Sequence, residues 1–286
     1  MPSVRQIARR IRSVENTAKI TKAMAMIAAS KLRRTQDAAT QGRSYAENMA
    51  HMVSNAMSQL QEDENSQELS QYRDLASVGL VLITPDRGLT GGLNSNVLRA
   101  AGDFIGQQPV PVKVVAMGKK GIDYSRRSGL QTIAEFTGIG DRPTSAETFP
   151  MAESMITAFQ DHEVDSVHVA YARFINTTLQ RATIEQLVPV VPAEVSQSDS
   201  AGYIYEPDAN TVLSELLPRY VQTVIHHSLL EANASEQSAR MVAMNQATDN
   251  ANEMVDDLTL VMNKLRQETI TKELLDIVGG VSAVEG

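Results

Sequence analysis

Apolar and small side chains recur at alternating intervals of three and four residues along the first quarter of the chain, which has no proline from Ser3 to Arg73. Every seventh residue, counted from Val4, is small or apolar: Val4, Ile11, Ala18, Ala25, Leu32, Ala39, Ala46, Val53 and Leu60. The complementary positions carry Ile7, Val14, Thr21, Ala28, Thr35, Gly42, Met49 and Ala56. This repeat, sustained over about eight heptads, predicts one strand of a coiled coil. Its small Ala, Thr and Gly residues predict a close approach by the partner helix.

The partner helix is predicted at the other end of the chain. No proline follows Pro218 there, and no glycine lies between Pro218 and Gly279. Its seam is predicted at Met244, Ala247, Ala251, Met254, Leu258, Val261 and Leu265. Asp208 or Asn210 is expected to cap the helix, Pro218 to kink it and Gly279-Gly280 to end it. Because the two helices flank the rest of the chain, we expect one antiparallel hairpin. An ordinary bundle is disfavoured because the sequence offers no third long helix.

The middle of the chain alternates between short apolar runs and helical patterns. Strands are predicted at 77–84, 112–117, 130–136 and 165–174, and helices at 92–106, 119–128 and 145–162. A final strand or pair of strands is predicted at 178–189. Alternation of this kind is typical of a mostly parallel, Rossmann-like sheet, here with one antiparallel edge. The fold class is therefore α/β, a small domain inserted into a long coiled coil.

Three domains follow from these patterns. Residues 1–73 form the N-terminal coiled-coil helix, residues 74–195 the α/β domain, and residues 196–286 a further segment with the C-terminal helix. The polar stretches 62–73 and 193–202 are expected to be mobile linkers.

Charge is distributed unevenly over the 286 residues. Residues 1–34 carry nine basic side chains and one acid, while the remainder carries 17 basic and 33 acidic side chains. The cationic end predicts an anionic partner, either nucleic acid or an acidic protein surface. Lys19, Thr21 and Lys22 interrupt the apolar run near the N-terminus, which argues against a signal peptide. The absence of cysteine excludes disulfides and thiolate metal sites.

The stretch "DRGLTGGLN" (86–94) follows a predicted strand, where α/β proteins often hold phosphate. It lacks the lysine of a phosphate-binding loop and the spacing of a dinucleotide fingerprint. A structural turn is therefore favoured over a nucleotide site. The five histidines show no zinc spacing, and no nucleophile elbow occurs. We expect no catalytic residue, no cofactor and no metal.

Several segments resemble the γ subunits of F-type ATP synthases. They are "ITKAMAMIAASKLRR" (20–34), "DRGLTGGLN" (86–94), "FINTTLQ" (174–180), "SEQSARMVAMNQATDNANEMV" (235–255) and "NKLRQETITKELLDIVGG" (263–280). They stand in the same order as in that family, they cover both termini and the core of the insert, and the resemblance is specific over nearly the full length. Thr90 departs from the cysteine of many members, and threonine fills a similar volume.

The resemblance implies a non-catalytic rotor subunit of the central stalk, of bacterial type. Its implied partners are the α and β subunits of the catalytic hexamer, the ε subunit and the membrane c-ring, with no nucleic acid. It implies a peripheral position on the cytoplasmic face of the inner membrane, with membrane contact only through the complex. Rotation of the asymmetric shaft then changes the nucleotide affinity of each β subunit in turn.

The resemblance also implies a set of partner-binding residues. By matching motif, these are Lys22, Met24, Asp86, Arg87, Thr90, Arg240, Arg266, Gln267 and Thr271, with Tyr203, Tyr205 and Glu206 facing the ring and the ε subunit. Two plainer interpretations remain open. Arg240 and Arg266 could be solvated helix residues, and Met24 could pack against the partner helix.

Two other classes of function compete with this one. A nucleic-acid-binding coiled coil would place the basic helix on phosphates, with an affinity that falls steeply with salt. The acidic remainder of the chain and the few aromatic residues argue against it. An enzyme built on the α/β insert would bind and turn over a small molecule.

Overall fold

The computed structural model describes residues 3–58, 68–191 and 205–284. The chain forms two compact units, one made of the residues up to Ile27 together with those from Met241 onward, the other of Ala28–Arg240. The helices are α1 (Val4–Ser58), α2 (Leu93–Gln107), α3 (Lys119–Arg127), α4 (Ser145–Gln160) and α5 (Ala209–Val284). The strands are β1 (Val78–Ile83), β2 (Val112–Met117), β3 (Gln131–Phe136), β4 (Ser166–Phe174) and β5 (Gln180–Val188).

The five strands form one sheet in the order β3-β2-β1-β4-β5. Strands β1 to β4 are parallel, and β5 pairs antiparallel with β4. Parallel neighbours require helical crossovers, which α2, α3 and α4 provide. The predicted mixed sheet is confirmed, and residues 178–189 supply one strand rather than two.

Both faces of the sheet are covered, so its central strands are buried throughout. Val81 and Ile83 point to one face, where they pack with Met155 and Phe159 of α4 and Leu217 of α5. On the other face, alternate residues of the same strands pack under α2 and α3. This arrangement explains why β1 is a continuous apolar run instead of an alternating one.

The predicted seam of α1 is confirmed in each unit. The first unit buries Ile7, Ile11, Ala18, Thr21 and Ala25, and the second buries Ala28, Leu32, Thr35, Ala39, Met49, Val53 and Ala56. Within the second unit a Cβ on Gly42 would lie 3.0 Å from Leu230 Cδ1 and 3.2 Å from His227 Nδ1. The small residues therefore do bring the two helices close together.

The predicted seam of α5 is wrong at Met254 and Val261, which are 45% and 47% exposed. Met244 and Ala251 are buried as predicted. Thr248, which the pattern did not predict, is also buried, at 9% exposure. The buried threonine lies 2.7 Å from Thr21, oxygen to oxygen. Pairing two hydroxyls satisfies both groups inside the seam, and apolarity alone gives no sign of such a pair.

The ends of the elements agree with the sequence in part. Asp208 caps α5 as predicted, because its carboxylate accepts a hydrogen bond from the Thr211 amide at 2.8 Å. The predicted stop at Gly279-Gly280 is wrong, since α5 continues to Val284. Without a proline or a capping residue behind them, two glycines weaken a helix but do not end it.

Part of the predicted linker 62–73 is structured. Residues Glu68–Ser70 form a 3₁₀ turn with Leu69 buried, and the Val190 amide donates to the Leu69 carbonyl at 2.9 Å. The remainder of that linker before residue 68, and the linker 193–202, lie outside the described residues.

The histidine at position 226 makes folding sensitive to pH. Burial lowers the pKa of His226, and the neighbouring His227 lowers it further. Its Nδ1 lies 3.1 Å from the buried hydroxyl of Thr148. Because the folded pKa lies below the unfolded value, stability is fully present above the unfolded pKa and is lost as pH falls through the folded pKa.

We therefore expect the urea concentration at the unfolding midpoint of the full chain to decrease as the pH is lowered from roughly 7.5 to 5.5. The substitution His226→Asn keeps a partner for Thr148 and is expected to flatten this slope. Replacing the exposed His51 with asparagine serves as the control and should leave the slope unchanged. Parallel pH profiles for the unsubstituted chain and His226→Asn would exclude His226 as the source of the pH dependence of stability.

Candidate functional site

The glycine-rich loop after β1 is held by its own chain. One carboxylate oxygen of Asp86 accepts the Lys119 amide at 2.9 Å, and the other accepts the Gly138 amide at 3.0 Å. Lys119 is the first residue of α3, so a carboxylate already lies where the helix amides would otherwise favour an anion. This geometry supports the interpretation of the loop as a structural turn.

Backbone packing closes the same edge of the sheet. The hydroxyl of Thr84 donates to the Met117 carbonyl at 3.0 Å and accepts the Gly121 amide at 2.7 Å. A Cβ on Gly118 would lie 1.8 Å from the Thr84 carbonyl oxygen. Parallel sheets usually bind ligands at this edge, and here main chain and side chains fill it.

The tip of the loop presents two side chains outward. Arg87 is exposed, and Leu89 is 60% exposed with a positive φ of 63°. An apolar side chain held outward in this conformation is uncommon, which makes Leu89 a candidate contact residue. Thr90 behaves differently, because it is only 2% exposed and packs inward.

Arg240 supports the loop from α5. Its guanidinium donates to Glu236 at 2.6 Å and reaches the Gly88 carbonyl at 3.5 Å, and its side chain is 12% exposed. Burial raises the pKa of Glu236 while the Arg240 charge opposes the rise, and nearby Asp141 and Asp86 add to it. The plainer interpretation of Arg240 as a solvated residue is therefore wrong.

A second set of polar contacts fixes the loop that follows β3. Asp141 accepts Gln237 of α5 at 3.0 Å and pairs with Lys31 of α1 at 2.6 Å. The Gly140 carbonyl accepts Asn233 at 3.3 Å. These contacts, the Arg240 contacts and the Asp86 contacts bring four of the predicted residues, Asp86, Arg87, Thr90 and Arg240, to one end of the sheet.

The other predicted contacts on the long helices lie in the first unit. Lys22 is exposed, and it lines an open groove of about 950 Å³ together with Glu15, Lys19, Asp249 and Asp256. Met24 is half-buried beside the seam, which fits its packing interpretation in part. The side chains of Arg266, Gln267 and Thr271 are all exposed on α5.

The remaining predicted contacts precede α5. Tyr205 is partly buried against the core of the second unit, and Glu206 is exposed. Tyr203 lies outside the described residues.

Sequence reasoning missed the residues that fasten α5 to the sheet. Glu231 is 1% exposed and pairs with Arg43 at 2.6 Å, and Asp141 contacts both α1 and α5. In the sequence, the only sign of the Glu231 contact is that this acid stands alone in the run "HHSLLEANA". In the part of the chain that the structure describes, no group of acidic or histidine side chains could hold a metal ion. Among the same residues, no helix is long and apolar enough to cross a bilayer.

Removing the Asp86 carboxylate should destabilise the loop. The substitution Asp86→Ala leaves the Lys119 and Gly138 amides without their acceptor, and we expect a loss of about 1–3 kcal/mol in the free energy of unfolding. Urea denaturation of the full chain measures it. Asp86→Asn keeps one acceptor oxygen and should lose less. Equal stability of Asp86→Ala and the unsubstituted chain would show that the Asp86 carboxylate does not hold the loop in place.

Comparisons with known proteins give one consistent result. The sequence profile described as ATP synthase matches residues 3–284. The ATP synthase gamma chain of Dehalococcoides mccartyi is 47% identical over 284 residues, covering 99% of this chain and 100% of that protein. The gamma chain of Chloroflexus aurantiacus is 44% identical over 288 residues, covering 99% of each.

Solved structures share the fold. A chain of the Euglena gracilis mitochondrial ATP synthase, from a cryo-EM structure of its OSCP, F1 and c-ring assembly in rotational state 3, matches with a TM-score of 0.67 at 18% identity. The match covers 98% of this chain and 94% of that one. A chain of the rotor of the same enzyme in rotational state 1 matches with a TM-score of 0.64, also at 18% identity.

Proposed function

This chain belongs to the family of ATP synthase γ chains, the non-catalytic rotor subunits of the central stalk, and from that premise we propose how its surfaces engage the rest of the complex. We assign the first unit to contacts with the hexamer of α and β subunits, and the second unit to contacts with the ε subunit and the c-ring. Turning of the shaft couples ion flow through the ring to ATP synthesis, and ATP hydrolysis drives the reverse rotation.

The observation that carries this proposal is the outer surface of the helices in the first unit. Ile20 is 61% exposed, Leu260 is 69% exposed and Leu275 is 66% exposed. Small residues fill the part of their seam around Ala18, Thr21 and Ala25, whereas these large apolar side chains point outward. Exposed apolar side chains in this number mark a surface that a partner covers.

The basic side chains of α1 in the same unit suit an acidic surface on a β partner. Basic side chains on α1, among them Lys22, are exposed beside these apolar groups. Contacts of this kind attract an acidic surface without deep interlocking, which lets one surface move past another. A rotor orientation that binds β conformations unequally shifts their populations and therefore their nucleotide affinities.

We assign the individual contacts as follows. Lys22, Met24, Arg266, Gln267 and Thr271 face the catalytic subunits from the first unit. At the glycine loop, Arg87 and Leu89 make the contact, and Asp86, Thr90 and Arg240 hold the loop in place for it. The last three act through the loop because their side chains are engaged with their own chain.

The segment before α5 is assigned to contacts with other rotor subunits. Tyr203, Tyr205 and Glu206 are proposed to contact the ε subunit and the c-ring. We also propose that the complex lies at the cytoplasmic face of the inner membrane. We propose three domains for this role: the N-terminal helix (1–73), the α/β body (74–195), and the segment that holds the C-terminal helix (196–286).

Reconstitution tests the proposal. The purified chain is mixed with α and β subunits of a bacterial relative, and the products are separated by size and assayed for ATP hydrolysis. We expect an active complex with one copy of the chain for three αβ pairs. A chain that hydrolyses ATP alone, or that never enters the complex, would refute the assignment.

A further inference from the structure

A carboxylate is buried where α1, α5 and the sheet meet in the second unit. Glu231 of α5 is 1% exposed, and its Oε1 accepts the Arg43 guanidinium of α1 at 2.6 Å. His227, one turn earlier on α5, places Nε2 3.3 Å from the same oxygen. The other oxygen lies 3.6 Å from Nε of Arg173 on β4. One acid therefore faces cationic or hydrogen-bonding groups from three elements.

The network extends across the sheet. Arg173 also pairs with Glu185 of β5 at 2.8 Å, and the Tyr171 hydroxyl donates to Glu185 at 3.2 Å. One and two turns along α5, Ser235 donates to the Ala172 carbonyl at 2.8 Å and Ser238 to the Thr177 carbonyl at 2.6 Å. These contacts fasten one face of α5 to β4 and to the turn that follows it.

Resting on the proposed function, we propose that Glu231 is a positioning residue that locks the two long helices to the α/β body against twisting when the rotor is under load. Apolar contacts between a helix and a sheet are non-directional, so they resist separation better than rotation about the helix axis. Buried ion pairs fix register, because any other orientation leaves charges unpaired in an apolar surrounding.

Burial of the carboxylate makes a twist costly. A twist of α5 would carry the Glu231 carboxylate away from Arg43 and Arg173. That displacement loses the hydrogen bond and leaves a charge that is already buried without its partners. Hydrogen bonds of Ser235 and Ser238 add to the resistance, but they carry no charge, so Glu231 is the residue on which register depends.

The test separates register from stability. In Arg43→Met with Glu231→Leu, the pair is replaced by apolar side chains, a change that commonly leaves stability equal or higher, and Arg173 retains Glu185. Each chain is assembled into the complete synthase in sealed membrane vesicles. Three quantities are measured: ATP hydrolysis, ATP-driven ion uptake and the thermal midpoint of the free chain.

We expect the double variant to fold and to hydrolyse ATP, with ion uptake per ATP lowered about threefold. Arg43→Met alone removes a half-exposed partner, should fold in any case, and should lower the ratio less. The control Glu135→Gln breaks the exposed Arg126–Glu135 pair, 2.6 Å apart on α3 and β3, and should leave the ratio unchanged.

Three outcomes would overturn the lock. The first is an unchanged uptake ratio in both the double variant and Arg43→Met, while the unsubstituted chain pumps normally. The second is a ratio that follows the thermal midpoint alone, which would reduce Glu231 to a stabilising residue. The third is an unsubstituted chain that supports no pumping, which would overturn the proposed function and the lock together.

Discussion

Replacing Gly118 with alanine is expected to prevent the α/β body from folding. The added Cβ would stand 1.8 Å from the Thr84 carbonyl oxygen and 2.7 Å from its carbon, and both are main-chain atoms that cannot turn away. Gly118 also has a φ of 86°, which side chains disfavour. Together these effects exceed about 4 kcal/mol, a large share of the stability of a domain. Circular dichroism and yield of folded chain measure the loss.

The matched control is Gly129→Ala. Gly129 has a similar φ of 65°, but nothing lies within 4 Å of its added Cβ. It reports conformational strain alone, for which about 1–2 kcal/mol is expected. If the two substitutions cost the same, the close approach of Gly118 to Thr84 is not what requires glycine there.

Replacing Arg266 with alanine together with Gln267 with leucine is expected to impair coupling while leaving the fold intact. Both side chains are exposed on α5, and substitutions at such positions change the free energy of unfolding by no more than about 0.5 kcal/mol. In the complex they are proposed contacts with the catalytic subunits. Loss of a buried arginine contact lowers binding by about tenfold or more, and we expect rotation-coupled hydrolysis to fall similarly.

The control for this pair uses other exposed residues of the same helix, Lys264→Ala with Glu268→Leu. It also removes one basic side chain and adds one leucine, with the net charge unchanged, and should retain assembly and coupled activity. The measurements are recovery of the complex by size and the coupled ATPase rate. Normal assembly and coupling in the Arg266 and Gln267 variant would remove both residues from the contact surface.

The sequence predicts the sheet and the α1 seam well because each rests on a local signal. Strands β1 and β2 are apolar runs next to glycine turns, and the heptad pattern predicts twelve of the fourteen positions buried on α1, all but Ser54 and Asn55. Register on α5 was harder to predict. Hydrophobicity favoured Met254 and Val261 for the seam, yet their exposure suits a helix whose apolar side chains face another subunit.

Polar contacts between distant parts of the chain account for most of what the sequence could not predict. Glu231 finds Arg43, 188 positions away, and Gln237 finds Asp141, 96 positions away. No periodicity connects such pairs, because the fold creates their proximity. Arg240 shows the same limit, since its motif matches a contact residue while its guanidinium is occupied within its own chain.

The most direct test of the rotor assignment is to watch the chain turn. Because the chain has no cysteine, one introduced at an exposed position of the α/β body takes a single bead or fluorophore. The complex with α and β subunits is fixed to a surface through its β subunits, and ATP is added. We expect unidirectional rotation of the probe in three steps per turn. ATP hydrolysis by complexes whose probes stay still would contradict it.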